Sequence, residues 1–203
     1  MNLPNKISLT RLCLTVVMVA LFLLGASSIL PYGELYATGV YIVAAVTDFV
    51  DGYLARSRGL VTTLGKFLDS ISDKVLCLAA FIFVACYAPE VAYAPSLWVV
   101  VLVIIHIARD FIISALRQIC ASKNIIMAAD KLGKIKAIFD YVSVPMMMAA
   151  PALSALCGFD MIWLYLPGFI LLAIATVMSI VSAVHYLVVN RSVLVEEKID
   201  ENK

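Results

Sequence analysis

The chain has 203 residues, of which 64% are hydrophobic and 14% are charged, and its mean hydropathy is +1.03. Soluble domains have roughly 45–50% apolar and about 25% charged residues, so the composition excludes an ordinary soluble fold and indicates a polytopic membrane protein. The net charge of +1 gives no reason to expect a nucleic-acid partner. The five cysteines occur singly, so neither a disulfide framework nor a zinc site is indicated.

Six segments are apolar enough to span a membrane, since a spanning helix needs about 20 mainly apolar residues. In chain order they cover residues 9–29, 35–55, 67–88, 96–120, 136–156 and 162–189. We therefore predict an all-α polytopic membrane protein with six transmembrane helices. Residues 1–190 would form one membrane domain, and residues 191–203 a short charged tail. The first segment also resembles a signal peptide, but its length and the even number of spans favour a membrane helix.

The basic residues predict the orientation of these helices. All 15 lie near the chain ends, around the connectors that follow segments two and four, or in the adjoining half of a segment. The other three connectors contain Glu34, Glu90 and Asp160 but no lysine or arginine. Because basic loops remain in the cytoplasm, we expect both termini and the basic connectors to be cytoplasmic.

Four aspartates lie at the boundary between segments two and three. Asp48 and Asp51 are three residues apart, and Asp69 and Asp73 are four apart, so each pair shares one face of a helix. The short connector makes the two helices antiparallel neighbours. Converging carboxylates in a low-dielectric site need cations to remain ionised, and oxygen ligands fit Mg²⁺ or Mn²⁺. The pattern therefore predicts a two-metal site suited to displacement at phosphorus.

Small residues beside the aspartates would let a bulky ligand approach closely. Gly52 and Ala55 share the face of the first aspartate pair, Gly65 precedes the second pair by one turn, and Arg56 suits phosphate oxygens. Two other interpretations stay open. Each aspartate by itself could be a solvated residue at a helix end. The four together could belong to a divalent-cation transporter, although such a path needs carboxylates throughout the membrane depth.

Eight of these positions form the pattern D-x2-D-G-x2-A-R-x8-G-x3-D-x3-D. This pattern resembles the signature of the CDP-alcohol phosphatidyltransferase family at every fixed residue, namely Asp48, Asp51, Gly52, Ala55, Arg56, Gly65, Asp69 and Asp73. The six-helix layout is similar to that family over the whole chain. The resemblance implies transfer of a phosphatidyl group from CDP-diacylglycerol to an alcohol, with release of CMP.

The resemblance also assigns roles to residues. It implies that the four aspartates bind two Mg²⁺ or Mn²⁺ ions and that Asp73 also acts as general base. It implies a CDP pocket lined by Gly52, Ala55, Arg56 and Gly65. Asn5 and Thr10, near the cytoplasmic start of the first segment, could contribute to nucleotide binding, or they could cap a helix.

A second basic cluster is the candidate site for the acceptor alcohol. Arg109 and Arg117 are eight residues apart, within about 80° on a helix, and Lys131 and Lys134 precede the fifth segment. Together they could bind the phosphate of a small phosphorylated alcohol. Alternatively, the lysines of this region, including Lys136, set the topology and contact anionic headgroups.

Two neighbouring residues invite a structural interpretation. Asp110 could pair with a nearby cation, and His106 is expected to be an interior histidine. The stretches MNLPNKISLTR, SDKV, ARDFIISALRQ and KLGKIKA resemble the bacterial family members that use sn-glycerol 3-phosphate. The chain departs from them at Asp110, where they usually have glutamate, and at Asp140. Inositol phosphate, or phosphatidylglycerol as in cardiolipin synthases, therefore stays open as the acceptor.

The resemblance finally implies a location and an assembly. We expect an enzyme of the bacterial cytoplasmic membrane whose active site faces the cytoplasm. Its partners would be the bilayer, the two substrates and a second copy of the chain in a homodimer.

Overall fold

The computed structural model describes residues 3–57, 63–86, 96–122 and 131–189. These residues form six helices: α1 Leu3–Ala26, α2 Gly33–Ser57, α3 Thr63–Cys86, α4 Ser96–Ser122, α5 Lys131–Cys157 and α6 Ile162–Val189. Some helical residues are described by their backbone alone: 3–6, 48–57, 63–64, 66, 69, 96, 121–122, 131–132 and 134. The all-α prediction is confirmed.

The helices coincide with the predicted segments, but four of them begin earlier than the apolar runs, α2 by two residues and three others by more. α1 begins at Leu3 where the prediction began at residue 9, α3 at Thr63 where it began at 67, and α5 at Lys131 where it began at 136. Hydropathy marks the part of a helix that suits lipid, whereas the helix itself continues as long as its backbone hydrogen bonds do. The predicted starts of α1, α3 and α5 were therefore too late, because each of these helices opens with a stretch that includes polar residues.

Within the described residues, four helices contain stretches long and apolar enough to cross a membrane: Ile7–Ala26, Leu97–Cys120, Ile135–Cys157 and Ile162–Val189. In α2 the apolar stretch is shorter, Gly33–Thr47. Large hydrophobic side chains are also exposed on the outer surface, including Val16 at 67% and Val177 at 62%. Soluble proteins rarely expose extensive apolar surface, so these helices belong to a membrane protein.

α1 and α3 run parallel to each other. Arg11 of α1 contacts Ser72 of α3, and eleven residues further along both helices Phe22 stacks on Phe83. α1 and α2 approach each other through bare backbone, since a Cβ added to Gly33 would lie 2.5 Å from the Cα of Gly25. Membrane helices commonly pack through such small residues, because lipid supplies no hydrophobic force between them.

α4 and α6 also run parallel to each other. His106 of α4 contacts Thr176 of α6, and one turn later Arg109 contacts Ser182. α5 packs against α6, α2 and α3. The connector from α5 to α6 is fixed at both ends, because Gly158 adopts a φ of 73° and Asp160 accepts the amide hydrogen of Ile162 at 3.1 Å.

α5 runs opposite to α4. Lys136 at the start of α5 contacts Asp110, and Asp140 one turn later contacts His106, which precedes Asp110 in α4. The polar contacts between helices therefore lie together, at what we call the polar end: the first halves of α1, α3 and α5 with the second halves of α4 and α6. The opposite half, with the Phe22–Phe83 stack, is the apolar end.

Candidate active site

Asp73 lies on α3 where α1 and α5 meet it. It is half-buried, and its Oδ1 accepts a hydrogen bond from the Tyr141 hydroxyl of α5 at 3.1 Å. The Sγ of Cys77, one turn later, lies 3.9 Å from the same oxygen. At the preceding residue, the Ser72 hydroxyl accepts a hydrogen bond from Nη1 of Arg11, a side chain with 0% exposure. Three helices therefore fix the backbone and one oxygen of Asp73.

A polar cavity of about 380 Å³ opens beside Asp73, between α3, α4 and α5. Arg109, Asp110 and Arg117 of α4 line it, together with Lys136 of α5. With Lys74 of α3, four cations thus share one cavity with the carboxylate of Asp73. Such a cavity suits a small anionic molecule, because guanidinium and ammonium groups form strong charge-assisted hydrogen bonds to phosphate oxygens.

An apolar groove of about 240 Å³ adjoins this cavity between α3 and α4. Its walls include Val75, Leu78, Ile107 and Phe111. Asp73 lines this groove as well as the polar cavity. The carboxylate therefore stands where a surface suited to hydrocarbon meets a surface suited to phosphate.

Two cations of the cavity, Lys136 and Arg109, are held by ion pairs. The Nζ of Lys136 lies 2.9 Å from Asp140 and 3.2 Å from Asp110. Arg109 contacts Asp110 at 3.0 Å and donates to the Ser182 hydroxyl at 2.9 Å. Buried charges need such partners, because an unpaired ion in a low-dielectric interior is very costly. Asp110 thus pairs with neighbouring cations, as predicted.

Behind Lys136, the same network continues to His106. This histidine is completely buried, which confirms the prediction of an interior residue. Its Nε2 lies 2.8 Å from the Thr176 hydroxyl, and its Nδ1 lies 3.5 Å from Oδ1 of Asp140. A continuous polar chain therefore leads from the cavity through α5 and α4 to α6.

The predicted acceptor residues are partly brought together. Arg109 and Arg117 line the same cavity, whereas Lys131 and Lys134 lie in the first turn of α5 with side chains outside the described residues. Of the candidate CDP-binding residues that the structure describes in full, Thr10 lies in α1 and Gly65 in α3, and neither lines the cavity. The other four lie outside the described side chains: Asn5, Gly52, Ala55 and Arg56.

Of the four predicted metal ligands, Asp73 alone has a described side chain. Asp48 and Asp51 lie near the end of α2 and Asp69 near the start of α3, but their carboxylates fall outside the described residues. Within the described part, no three His, Cys, Asp or Glu residues form a possible metal site. The backbone fits the predicted donor set, because both pairs occupy continuous helix and α2 contacts α3.

Sequence reasoning missed three residues of this region. Lys136 was considered only as a lysine that sets the topology and contacts headgroups, and contact with headgroups is wrong, because Lys136 is 5% exposed and paired with two carboxylates. Its spacing of four from Asp140 was the available signal. The signal for Arg11 was a charge inside an apolar segment. Tyr141 offered none, since an interior tyrosine is common.

The structure thus shows a helical membrane fold in which a polar cavity adjoins an apolar groove. The sequence also matches a known protein family over most of the chain. A family model described as CDP-alcohol phosphatidyltransferase matches residues 1–181, and the chain belongs to this family. It is therefore a transferase, and the resemblance read from the eight motif residues is confirmed.

Curated relatives share one name, "CDP-diacylglycerol--glycerol-3-phosphate 3-phosphatidyltransferase". The protein from Bacillus subtilis (strain 168) is 38% identical over 151 residues, which cover 70% of this chain and 74% of that relative. The protein from Escherichia coli (strain K12) is 31% identical over 198 residues, with 97% and 98% covered. The protein from Rickettsia bellii (strain RML369-C) is 29% identical over 185 residues, with 91% and 93% covered.

Proposed function

We propose that this protein transfers the phosphatidyl group of CDP-diacylglycerol to sn-glycerol 3-phosphate, which gives phosphatidylglycerophosphate and CMP. The relatives' shared name supports both substrates. The observation that carries the proposal is the position of Asp73, which lines a polar cavity with four cations and also an apolar groove. Such a transferase must bring a lipid donor and a water-soluble acceptor to one reacting phosphorus.

The donor would approach from the apolar side. In our proposal the groove between α3 and α4 accommodates part of an acyl chain, since its walls are mainly aliphatic and aromatic. The CDP moiety would lie near the end of α2 and the start of α3. There Gly52, Ala55 and Gly65 would permit close approach, and Arg56 would bind phosphate oxygens. Asn5 and Thr10 of α1 would complete the nucleotide pocket.

Two Mg²⁺ or Mn²⁺ ions would be held by Asp48, Asp51, Asp69 and Asp73. Carboxylate oxygens are the ligands that these cations prefer, and the two aspartate pairs lie on contacting helices. When bound, the ions would neutralise charge on the diphosphate and acidify the acceptor hydroxyl.

The acceptor would occupy the polar cavity. Arg109 and Arg117 would bind its phosphate, assisted by Lys131 and Lys134 from the first turn of α5. Its 1-hydroxyl would then attack the phosphorus next to the diacylglycerol. The new O–P bond replaces the bond to the CMP phosphate, and CMP departs with the bonding electron pair. Asp73, held by Tyr141 at 3.1 Å, would accept the hydroxyl proton.

We further propose that all six helices cross the membrane, with both termini and the polar end on the cytoplasmic side of a bacterial membrane. The alternating helix directions and the basic residues support this orientation. Residues 1–190 would form the membrane domain and residues 191–203 a cytoplasmic tail.

We also propose the homodimer that the family resemblance implies. The mass of the detergent-solubilised protein tests it, and we expect the mass of two chains.

CMP release by the purified protein tests the chemistry and the acceptor together. Mixed micelles of CDP-diacylglycerol and Mg²⁺ would be offered sn-glycerol 3-phosphate, inositol phosphate, serine or phosphatidylglycerol in parallel reactions. We expect release with sn-glycerol 3-phosphate alone, and its loss in Asp73→Asn. Release with another acceptor would keep the transferase but overturn the assignment of the acceptor. No release with any acceptor, from folded and metal-loaded protein, would overturn the proposed function.

A further inference from the structure

A buried histidine and a buried aspartate face each other behind the polar cavity. His106 is 0% exposed and Asp140 is 7% exposed. Nδ1 of His106 and Oδ1 of Asp140 are 3.5 Å apart, and neither atom has another hydrogen-bond partner among the described residues. Each atom carries a lone pair, so a proton must lie between them if the contact is to be favourable.

The other side of the histidine determines which nitrogen carries its first proton. The Thr176 hydroxyl has a single hydrogen, and it donates this hydrogen to the carbonyl oxygen of Leu172 at 2.8 Å. Nε2 of His106 lies 2.8 Å from the same hydroxyl oxygen. Nε2 must therefore be the donor in that contact. A neutral His106 consequently presents a bare lone pair from Nδ1 towards Asp140.

One additional proton resolves this conflict. It can reside on Nδ1, which gives an imidazolium facing a carboxylate, or on Oδ1, which gives a carboxylic acid facing a neutral imidazole. In both cases Oδ2 of Asp140 still accepts from Nζ of Lys136 at 2.9 Å. The pair thus anchors Lys136 to α4 directly and to α6 through Thr176.

The surrounding charges show what this proton contributes. Among the described residues, the charged groups that ion pairs link to Asp140 are Lys136 of α5 and, through it, Asp110 and Arg109 of α4, and α6 contributes the hydroxyls of Thr176 and Ser182. The ring of Phe81 on α3 covers the histidine, with centroids 5.2 Å apart. Two cations and two carboxylates sum to zero, so the added proton gives the cluster a net charge of +1.

We propose that His106 and Asp140 share one buried proton and act as positioning residues, which hold the Lys136 ammonium at the wall of the polar cavity for the acceptor's phosphate. This inference rests on the proposed function for the identity of the acceptor. Lys136 lines the cavity, so its ammonium would contact the acceptor's phosphate, whereas His106 and Asp140 act through it. The net positive charge of the cluster then complements a phosphate anion.

The shared proton is tested by ¹⁵N NMR of histidine-labelled protein in micelles at neutral pH. The chain has two histidines, and the other one, His185, is exposed, so His185→Gln leaves a single ring to observe. Asp140→Asn in the same background is the matched control. Its amide NH₂ can donate to Nδ1 while its carbonyl accepts from Lys136, which reproduces the hydrogen bonds without a titratable proton.

We expect Nε2 to be protonated. We also expect the ¹⁵N chemical shift of Nδ1 to be at least as strongly shielded as that of Nδ1 in the Asp140→Asn control. A Nδ1 that is less shielded than in the control would show a bare lone pair and would overturn the proposal. A ring protonated at Nδ1 alone would also overturn it. This measurement does not depend on activity, so it can fail while the proposed function stands.

The positioning role is tested by kinetics of CMP release. Asp140→Leu removes the anchor of Lys136, and we expect the KM for sn-glycerol 3-phosphate to rise about tenfold to a hundredfold, the scale of one hydrogen bond to a charged group. The KM for CDP-diacylglycerol should change little, and Asp140→Asn should restore the acceptor KM to within about threefold. If Asp140→Leu does not fold, His106→Leu takes its place with the same expectation.

Equal losses for both substrates would indicate a structural role alone and overturn the positioning role. Failure of Asp140→Asn to restore the acceptor KM would overturn it as well. Absence of CMP release from the unmodified protein would instead overturn the proposed function, while the NMR result would still be readable.

Discussion

The polar end and the apolar end of the bundle are built from the same helices but are held together by different forces. At the apolar end, Phe22 stacks on Phe83 with centroids 4.1 Å apart, and Gly25 meets Gly33 backbone to backbone. At the polar end, a buried lysine, an arginine, two aspartates and a histidine contact one another across α4, α5 and α6. Dispersion contacts hold the first end, and paired charges hold the second.

The two kinds of contact respond differently to mutation. A dispersion contact is lost gradually, because each atom pair contributes little. A buried charge depends on all of its partners at once, since the loss of one leaves the others unpaired. The same cations that would bind the acceptor also neutralise Asp110 and Asp140. Changes to the ion-paired residues of the polar end should therefore affect binding and folding together, whereas changes at the apolar end should affect folding alone.

Removal of divalent cations should have the largest effect on activity. If the four aspartates hold two ions, an excess of a chelator should abolish CMP release, because uncompensated carboxylates would repel the diphosphate. Mg²⁺ or Mn²⁺ added back should restore the activity. The measurement is CMP release before and after chelation, with helical content followed by circular dichroism. Full activity in the chelated protein would contradict the metal site.

Asp73→Asn should have the next largest effect. Loss of a general base lowers the rate about 10²–10⁴-fold, and this substitution also removes a metal ligand. The amide can still accept the Tyr141 hydroxyl, so the fold should be retained. Asp160→Asn is the matched control, because Asp160 is exposed in the α5–α6 connector and caps α6. Equal kcat values for the two variants would contradict the assigned role of Asp73.

Lys136→Met should combine a binding defect with a folding defect. Removal of one partner from a buried ion pair typically costs about 3–5 kcal/mol, here because Asp140 would lose its cation while Asp110 would keep only Arg109. The KM for sn-glycerol 3-phosphate should rise as well. Thermal unfolding in micelles and CMP release measure the two effects.

Lys134→Met is the matched comparison, because Lys134 is one of the four acceptor residues predicted from sequence, with Arg109, Arg117 and Lys131. If Lys134 contacts the acceptor from the first turn of α5, its loss should raise the KM with little change in stability. A destabilisation by Lys134→Met equal to that by Lys136→Met would contradict the difference that we infer between the two lysines.

The contrast between the two ends also determines which features of the molecule the sequence could predict. The six helices were predictable because lipid requires long apolar runs with internally satisfied backbones. The family could be recognised from the eight motif residues, because five of them lie at fixed spacing in α2 and three at fixed spacing in α3. The apolar groove beside Asp73 was not predictable, since its walls come from α3 and α4 and depend on how those helices pack.

The buried network at the polar end was only partly predictable. Asp110 could be expected to pair with a cation, but the partner Lys136 lies 26 residues away on another helix. The contact of His106 with Asp140 depends on the relative rotation of α4 and α5, which no local pattern encodes. Lys136 and Arg117 are both basic residues close to apolar segments. Nothing in the neighbouring sequence shows that Lys136 is buried and Arg117 is exposed.

Phe22→Ala should have the smallest effect on activity and tests the apolar end directly. Phe→Ala costs about 3–5 kcal/mol in a water-soluble core, but part of that value is transfer from water, which is absent between membrane helices. We therefore expect a loss of about 1–3 kcal/mol from the lost stacking on Phe83 and the cavity left behind. The KM for sn-glycerol 3-phosphate should not change, because Phe22 is at the opposite end from the cavity.

Phe67→Ala, at a residue that is 60% exposed, is the control and should leave the unfolding temperature unchanged. A change in acceptor KM in Phe22→Ala would mean that the two ends are coupled, and the distinction between them would then not hold.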